Sequence, residues 1–241
     1  MELHRITLPP TLGPTAFAGL VSALDRAAAD PDARVVAFVG ADEGFCRGMD
    51  LGLMVEERSA ASGSLRAFAA LLSHVRRSGR PTMAIVDGEA VGGGVGIAAA
   101  CDLVLATTRA TFALPEALFG ILPGVVMPVL LERMTPQALR LFVLSGASRP
   151  ASWAATHGLV DELTEPEALP ALTRRVVREL SRVPARHVLG LRRWLSELGG
   201  LDTEAGLERG ASVTAALIDE TATRDAVRTF LDEGVPPWMP R

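Results

Sequence analysis

In the first half of the chain, segments with the hydrophobic pattern of a strand alternate with segments that have the hydrophobic period of a helix. The segments with a strand period are short and rich in β-branched residues, and the segments between them carry apolar residues at helical spacing. The predicted strands are residues 2–8, 35–39, 82–86, 103–106 and 111–113. The predicted helices are residues 15–29, 61–77 and a segment from the glycines at 92–94 to about residue 101. This order predicts a parallel sheet with right-handed crossovers.

The second half of the chain has a mostly helical pattern. Helices are predicted at residues 136–144, 151–156, 169–182, 185–198 and 202–231, the last with a break near residues 222–223, and one short strand at 159–162. Because no low-complexity linker or internal repeat divides the 241 residues, we expect one α/β domain. Its core would span residues 1–195, and residues 196–241 would form a helical region that contacts other subunits or covers the active site.

Composition excludes several classes of protein. The net charge is −4, and the arginines form no basic stripe of the kind that binds nucleic acid. The two cysteines lie far apart, which argues against a disulfide framework and favours a reducing compartment. The longest apolar stretch, residues 117–131, contains two prolines and is shorter than the about 20 residues that span a bilayer. No signal-peptide pattern opens the chain, so we expect a cytoplasmic protein with no membrane contact.

Three glycine-containing segments stand out as candidates for chemistry. They are residues 44–51 (GFCRGMDL), residues 86–96 (VDGEAVGGGVG) and residues 110–124 (ATFALPEALFGILPG). In the second, a predicted strand turns through glycines into a helix, where backbone can approach a ligand closely and unpaired N–H groups favour an oxyanion. The same glycines are also compatible with a tight turn or with close packing of helix on strand. Their spacing matches neither a dinucleotide fingerprint nor a P-loop.

The order and spacing of these segments resemble the enoyl-CoA hydratase/isomerase (crotonase) family, closely over residues 33–165 and loosely in the C-terminal helices. The resemblance implies a spiral of ββα turns followed by helices that join subunits into trimers or hexamers. It also implies that backbone N–H groups of Met49 and Gly93 form an oxyanion hole for the thioester carbonyl. No metal or redox cofactor is implied, because CoA or phosphopantetheine would arrive as part of the substrate.

The carboxylates depart from the family pattern. Hydratases of the family use two glutamates, whereas this chain has Gly96 at the first position and Glu116 at the second. A single carboxylate, as in the isomerases of the family, can take a proton from one carbon and return it to another. Apolar neighbours should raise the pKa of Glu116 toward the working pH. Without the resemblance, Glu116 would read as a surface loop residue.

A second resemblance concerns the carrier of the acyl group. Residues 45–50 and 114–120 are similar to crotonase homologues of bacterial polyketide assembly lines, which act on acyl groups carried by an acyl carrier protein. An arginine cluster at residues 76, 77 and 80 could serve as a docking patch for such a carrier. The residues expected to contact substrate are Phe45, Cys46, Arg47, Gly48, Asp50, Gly92, Gly94, Gly96, Leu114 and Phe119.

Three functions stay open at this point. The first is isomerisation of an enoyl thioester, bound to CoA or to an acyl carrier protein, with Glu116 as the proton shuttle. The second is dehydration of a 3-hydroxyacyl thioester, or the reverse hydration. The third is a subunit that binds an acyl carrier without catalysis, against which the glutamate in an apolar segment argues.

Overall fold

The computed structural model describes residues 3–41, 44–49, 58–183, 185–199 and 203–234. Its strands are β1 (Leu3–Leu8), β2 (Val35–Gly40), β3 (Thr82–Val86), β4 (Glu89–Val91), β5 (Leu103–Thr107), β6 (Thr111–Ala113), β7 (Arg149–Pro150) and β8 (Glu162–Thr164). Its helices are α1 (Pro14–Ala29), α2 (Arg58–Arg76), α3 (Gly93–Ala100), α4 (Met127–Leu131), α5 (Pro136–Ser145), α6 (Ala151–Thr156), α7 (Leu169–Leu180), α8 (Ala185–Gly199), α9 (Thr203–Asp219) and α10 (Thr221–Glu233).

The main sheet is parallel throughout, with the strand order β1-β2-β3-β5-β8. Its central strands are buried on both faces, which is why β2 and β3 read as continuous apolar runs rather than as alternating ones. The predicted parallel sheet is therefore confirmed.

A second, three-stranded sheet has the order β4-β6-β7, and its β6–β7 pair is antiparallel. Only β6 was predicted from the sequence. Strand β4 is separated from β3 by only two residues, and β7 has two residues, so neither left a separate strand pattern. Strand β4 follows β3 after a turn at Gly88 and lies outside the main sheet.

Two predicted boundaries were wrong. The strand expected at residues 159–162 begins at Glu162, where pairing with β5 starts at Leu105. Leu159 and Val160 are apolar because they are buried at the end of α6, so their character marks burial and not strand pairing. The break expected near residues 222–223 lies at Glu220, which is the N-cap of α10.

Helices cover both faces of the main sheet. Helices α1, α2 and α3 contribute to the large apolar core on one face, whereas Val176 and Val177 of α7 pack on Met83 and Leu105 from the other. Helix α9 folds back on α2, where the Arg77 guanidinium lies 2.9 Å from Glu204. Within the described residues, no helix is both long enough and apolar enough to cross a membrane.

Candidate active site

Strand β4 brings the three glycine-containing segments together. The backbone N–H groups of Phe45 and Cys46 donate to the carbonyl of Glu89 at 2.9 and 3.1 Å, and the N–H of Val91 donates to Cys46 at 2.9 Å. On its other edge β4 pairs with β6, and the N–H of Gly92 donates to Ala113 at 2.9 Å. The end of β4 therefore places residues 44–49, the start of α3 and the segment after β6 side by side.

The two predicted oxyanion donors line the same cavity, and Gly48, the residue before Met49, lies against Gly93. Gly48 has a φ of 79°, and a Cβ atom on it would lie 2.7 Å from the backbone nitrogen of Gly93. The N–H groups of Met49 and Gly93 donate to no acceptor in the described part of the chain. Gly93 is the first residue of α3, so its N–H lies at the positive end of the helix dipole. Two unpaired N–H groups at this position can hold a carbonyl oxygen that becomes negative.

Phe45, Cys46 and Gly94 support this arrangement from behind. A Cβ on Gly94 would overlap the carbonyl oxygen of Cys46, so close approach of α3 to residues 44–49 requires glycine. Phe45 and Cys46 are buried, and the Cys46 sulfur accepts the N–H of Gly48 at 3.4 Å. Burial raises the pKa of the Cys46 thiol to about 11, so the thiol stays protonated near neutral pH.

Glu116 lies in a 3₁₀ turn, Pro115–Phe119, that follows β6. Its carboxylate lies over Gly92, since a Cβ there would come within 2.9 Å of Oε1. Its Oε2 atom is buried and has no hydrogen-bond partner among the described residues. Burial raises the pKa of the Glu116 carboxyl to about 7, the value that suits a group that both takes and returns a proton near neutral pH.

A cavity of about 100 Å³ joins the donors to the Glu116 carboxylate. The predicted residues that line it are Arg47, Met49, Gly92, Gly93, Glu116 and Phe119. Phe45, Cys46, Gly48, Gly94, Gly96 and Leu114 lie outside the lining, and Asp50 lies outside the described residues. The lining residues that sequence reasoning missed are Leu65, Phe68, Val91, Pro115, Ile121, Leu122, Pro123, Val125, Val126 and Thr214.

Two of the missed residues left a signal in the sequence, and Thr214 left none. Leu65 and Phe68 lie on the apolar face predicted for the second helix, but a helical period does not separate core from cavity lining. Thr214 belongs to α9, more than 90 residues after Glu116 in the chain. No local pattern could have placed it in the site, because that contact depends on how α9 folds back.

Apolar side chains occupy the space beside Gly96, where a second glutamate would stand in a two-glutamate hydratase. A Cβ on Gly96 would overlap Cγ1 of Val126 and lie 3.3 Å from the ring of Phe68. Glu116 is the one carboxylate among the described residues that line the cavity. No cluster of three or more His, Cys, Asp or Glu side chains suited to a metal ion occurs in the described ranges.

The arginine cluster considered for carrier docking is largely paired within the chain. Arg76 forms an ion pair with Glu132, and Arg77 forms one with Glu204. The Arg80 guanidinium donates to the carbonyl of Asp30 at 3.3 Å. The Arg77 side chain is nevertheless 69% exposed, so docking of a carrier at this cluster stays a prediction.

Comparison with known proteins identifies the family and the fold of the chain. A sequence model of the enoyl-CoA hydratase/isomerase family matches residues 1–241. (E)-Benzylidenesuccinyl-CoA hydratase of Thauera aromatica is 35% identical over 184 residues, which cover 75% of this chain and 72% of that protein. An enoyl-CoA hydratase structure from Mycobacterium avium is 27% identical with a TM-score of 0.85, over 99% of this chain and 94% of the other.

A third similarity concerns the fold alone. A Bacillus subtilis structure described as a polyketide biosynthesis enoyl-CoA hydratase superposes with a TM-score of 0.88 over 98% of this chain and 96% of its own. It is 21% identical, a level at which the likeness establishes architecture and not activity. The spiral fold expected from the three segments is confirmed by these superpositions.

Proposed function

This chain belongs to the enoyl-CoA hydratase/isomerase family, a family of enzymes, and from that membership we propose that it is an isomerase that shifts the double bond of an enoyl thioester. The observation that carries the proposal is the single carboxylate of the cavity, Glu116, in an otherwise apolar surrounding. Its unpartnered Oε2 atom and its raised pKa favour a group that exchanges protons with carbon.

The proposed reaction is a proton transfer between two carbons of the acyl group. The thioester oxygen accepts hydrogen bonds from the N–H groups of Met49 and Gly93. The Glu116 carboxylate removes a proton from the γ-carbon of an α,β-enoyl thioester, and the electron pair moves through the double bond to the oxygen, giving a dienolate. Glu116 then returns the proton to the α-carbon, which leaves a β,γ double bond. The two N–H donors stabilise the oxyanion, and loss of one such donor typically costs about 3 to 4 kcal/mol.

The surroundings of Gly96 support proton transfer over addition of water. A water nucleophile needs a base, and in a two-glutamate site the second carboxylate shares that work. Here Val126 and Phe68 fill the corresponding space. The apolar wall leaves a water molecule with few of the two to four polar partners that an ordered site normally provides.

Hydration, or dehydration in the reverse direction, is the second candidate function. The observation in its favour is that curated relatives carry the names of hydratases, including the protein from Thauera aromatica and 2,3-dehydroadipyl-CoA hydratase of Escherichia coli. In that case Glu116 alone would move the proton and assist the hydroxyl group. The two functions differ in whether the substrate gains or loses a water molecule.

The carrier and the assembly belong to the same proposal. The polyketide-like segments at residues 45–50 and 114–120 support an acyl carrier protein as one source of substrate, with CoA as the other. A location in the cytoplasm stays a prediction.

Assembly into a homotrimer or hexamer also stays a prediction, which a measurement of molar mass in solution would check. Large apolar side chains that α8 exposes offer a surface for such an assembly: Leu189, Leu191, Trp194 and Leu195.

Mass spectrometry in D₂O separates these functions. An α,β-enoyl pantetheine thioester with γ-hydrogens is incubated with the protein, and deuterium in the chain without a gain of water supports the isomerase. A product heavier by one water would replace the proposal with hydration. If neither deuterium uptake nor addition of water is seen with the pantetheine, CoA or carrier-bound substrates, both functions are contradicted.

Gly96→Glu tests whether the missing glutamate alone decides the reaction. We expect the variant to be less stable by about 1 to 3 kcal/mol and to add no water, because its Cβ overlaps Val126 and overpacks the core. Urea unfolding and the same mass assay check this, and the double variant with Val126→Ala should recover part of the stability. Wild-type stability together with efficient hydration by Gly96→Glu would contradict the packing argument.

A further inference from the structure

The backbone of helix α9 packs directly against the segment that forms the wall of the cavity. A Cβ on Gly210 would overlap the carbonyl oxygen of Gly124, and a Cβ on Gly206 would lie 3.0 Å from the ring of Pro128. Gly206, Gly210 and Thr214 are spaced by four residues, so they share one face of the helix. Glycine on this face lets α9 approach the segment between the Glu116 turn and α4.

The Thr214 hydroxyl links α9 to that segment. It donates to the carbonyl of Leu122 at 3.0 Å and accepts the N–H of Gly124 at 3.2 Å. Leu122, Pro123, Val125 and Thr214 itself line the cavity beside Glu116. The position of this wall therefore depends on a helix that is remote in the sequence.

The cavity lining contains exposed residues and buried ones, and Leu122 in it is 48% exposed. The Arg47 side chain, which lines it close to the oxyanion donors, is 72% exposed. Thr214 is 4% exposed, and Val126 and Phe68 are also buried in the lining. At about 100 Å³, the cavity is smaller than an apolar cavity of about 150 Å³, which holds benzene.

We propose that α9 closes the inner end of the acyl site of its own chain and restricts the site to short acyl groups, about four to six carbon atoms long. Thr214 and Val126 are then the residues that set the length limit. The inference rests on the proposed function, since it takes the cavity to be the acyl site. It adds the substrate class, which the fold and the two donors leave open.

Binding of unreactive ligands tests the inference without requiring turnover. Saturated acyl-pantetheine thioesters with four, six, eight and ten carbons are titrated calorimetrically into the wild-type protein. We expect affinity to fall at least tenfold between six and eight carbons, because one methylene that a hydrophobic pocket cannot accommodate changes recognition by roughly 10- to 200-fold.

Three variants locate the limit. Thr214→Ala and Val126→Ala should each raise the affinity for the eight-carbon thioester at least tenfold relative to wild type. Val213→Ala, an exposed neighbour on the same helix that does not line the cavity, should leave the length profile unchanged. Thr214→Ser keeps the hydroxyl and its hydrogen bonds. It replaces Thr214→Ala in the test if loss of the hydroxyl loosens α9.

Two results would overturn the inference. Equal affinity from four to ten carbons in the wild type would remove the length limit. If neither Val126→Ala nor a folded Thr214 variant changes the length limit, other residues set that limit. A length limit shifted by these variants in a protein that shows no isomerisation would uphold the inference while the proposed function failed.

Discussion

Glu116→Gln is expected to lower kcat for double-bond isomerisation by about 10²- to 10⁴-fold, the range that general acid–base catalysis contributes. The amide has nearly the shape of the carboxyl group and cannot take a proton from carbon. Affinity for a saturated thioester should change little, because the oxyanion donors are the backbone N–H groups of Met49 and Gly93. Steady-state kinetics and calorimetric titration separate the two quantities.

The same substitution should stabilise the folded protein, and more so at higher pH. Burial raises the pKa of Glu116 to about 7 from an ordinary value of 4.5, so between these pH values the folded state holds a proton that the unfolded state has lost. The wild type therefore loses stability as pH rises from about 4.5 to 7, by about 3 kcal/mol in total. Because Glu116→Gln lacks this loss, the difference between its free energy of unfolding in urea and that of the wild type should grow from about pH 4.5 to 7.

A surface glutamate provides the control for both measurements. Glu167→Gln changes an exposed carboxylate that does not line the cavity, so it should leave kcat unchanged and should still show the loss of stability that ionisation of Glu116 causes. In the wild type, kcat/KM should rise with pH through an apparent pKa of about 7, because the base must be ionised. A Glu116→Gln enzyme with kcat within threefold of wild type would remove Glu116 from the chemistry.

Gly48→Ala is expected to lower kcat/KM by about 10²- to 10³-fold, comparable to the loss of one oxyanion donor. The left-handed φ of 79° disfavours a side chain at this position, and the new Cβ would lie 2.7 Å from the nitrogen of Gly93. We expect relief of that contact to move Met49 relative to Gly93, so that their N–H groups no longer bind the same oxygen. Kinetics with an enoyl pantetheine thioester measure the effect.

Gly44→Ala is the matched control in the same segment. Its Cβ would have its closest described neighbour at 3.9 Å, an ordinary contact, so we expect near wild-type kinetics and stability. Circular dichroism shows whether Gly48→Ala is folded before its kinetics are interpreted. Unchanged kinetics in a folded Gly48→Ala protein would show that the spacing of the two donors does not control the rate.

Local sequence determined the elements of the main sheet and the chemical groups of the site. Strands β2 and β3 were readable because burial on both faces demands an uninterrupted apolar run. The glycines at 92–94 marked the start of α3, whereas Glu116 was singled out by the resemblance of the three segments to the enoyl-CoA hydratase/isomerase family. The strands and the start of α3 depend on neighbours along the chain, so spacing and residue type were sufficient to find them.

Tertiary structure decided how those groups meet. Strand β4 is separated from β3 by only two residues and left no separate pattern in the sequence, yet it joins the three segments. The pairing of β8 shows the same limit, because buried Leu159 and Val160 were mistaken for strand residues. A hydrogen-bonded pairing is a property of two segments, and the sequence of one of them does not contain it.

The sequence thus supplied the glycine-rich turns and, through the resemblance to the family, the candidate carboxylate and the two candidate backbone donors. Only the folded molecule determined that Val126 and Phe68 fill the space beside Gly96 and that Thr214 reaches the cavity from α9. Both contacts join residues far apart in sequence, and they form because close packing leaves no void beside a glycine. The shape of the acyl site therefore depends on packing between distant segments, which local patterns do not encode.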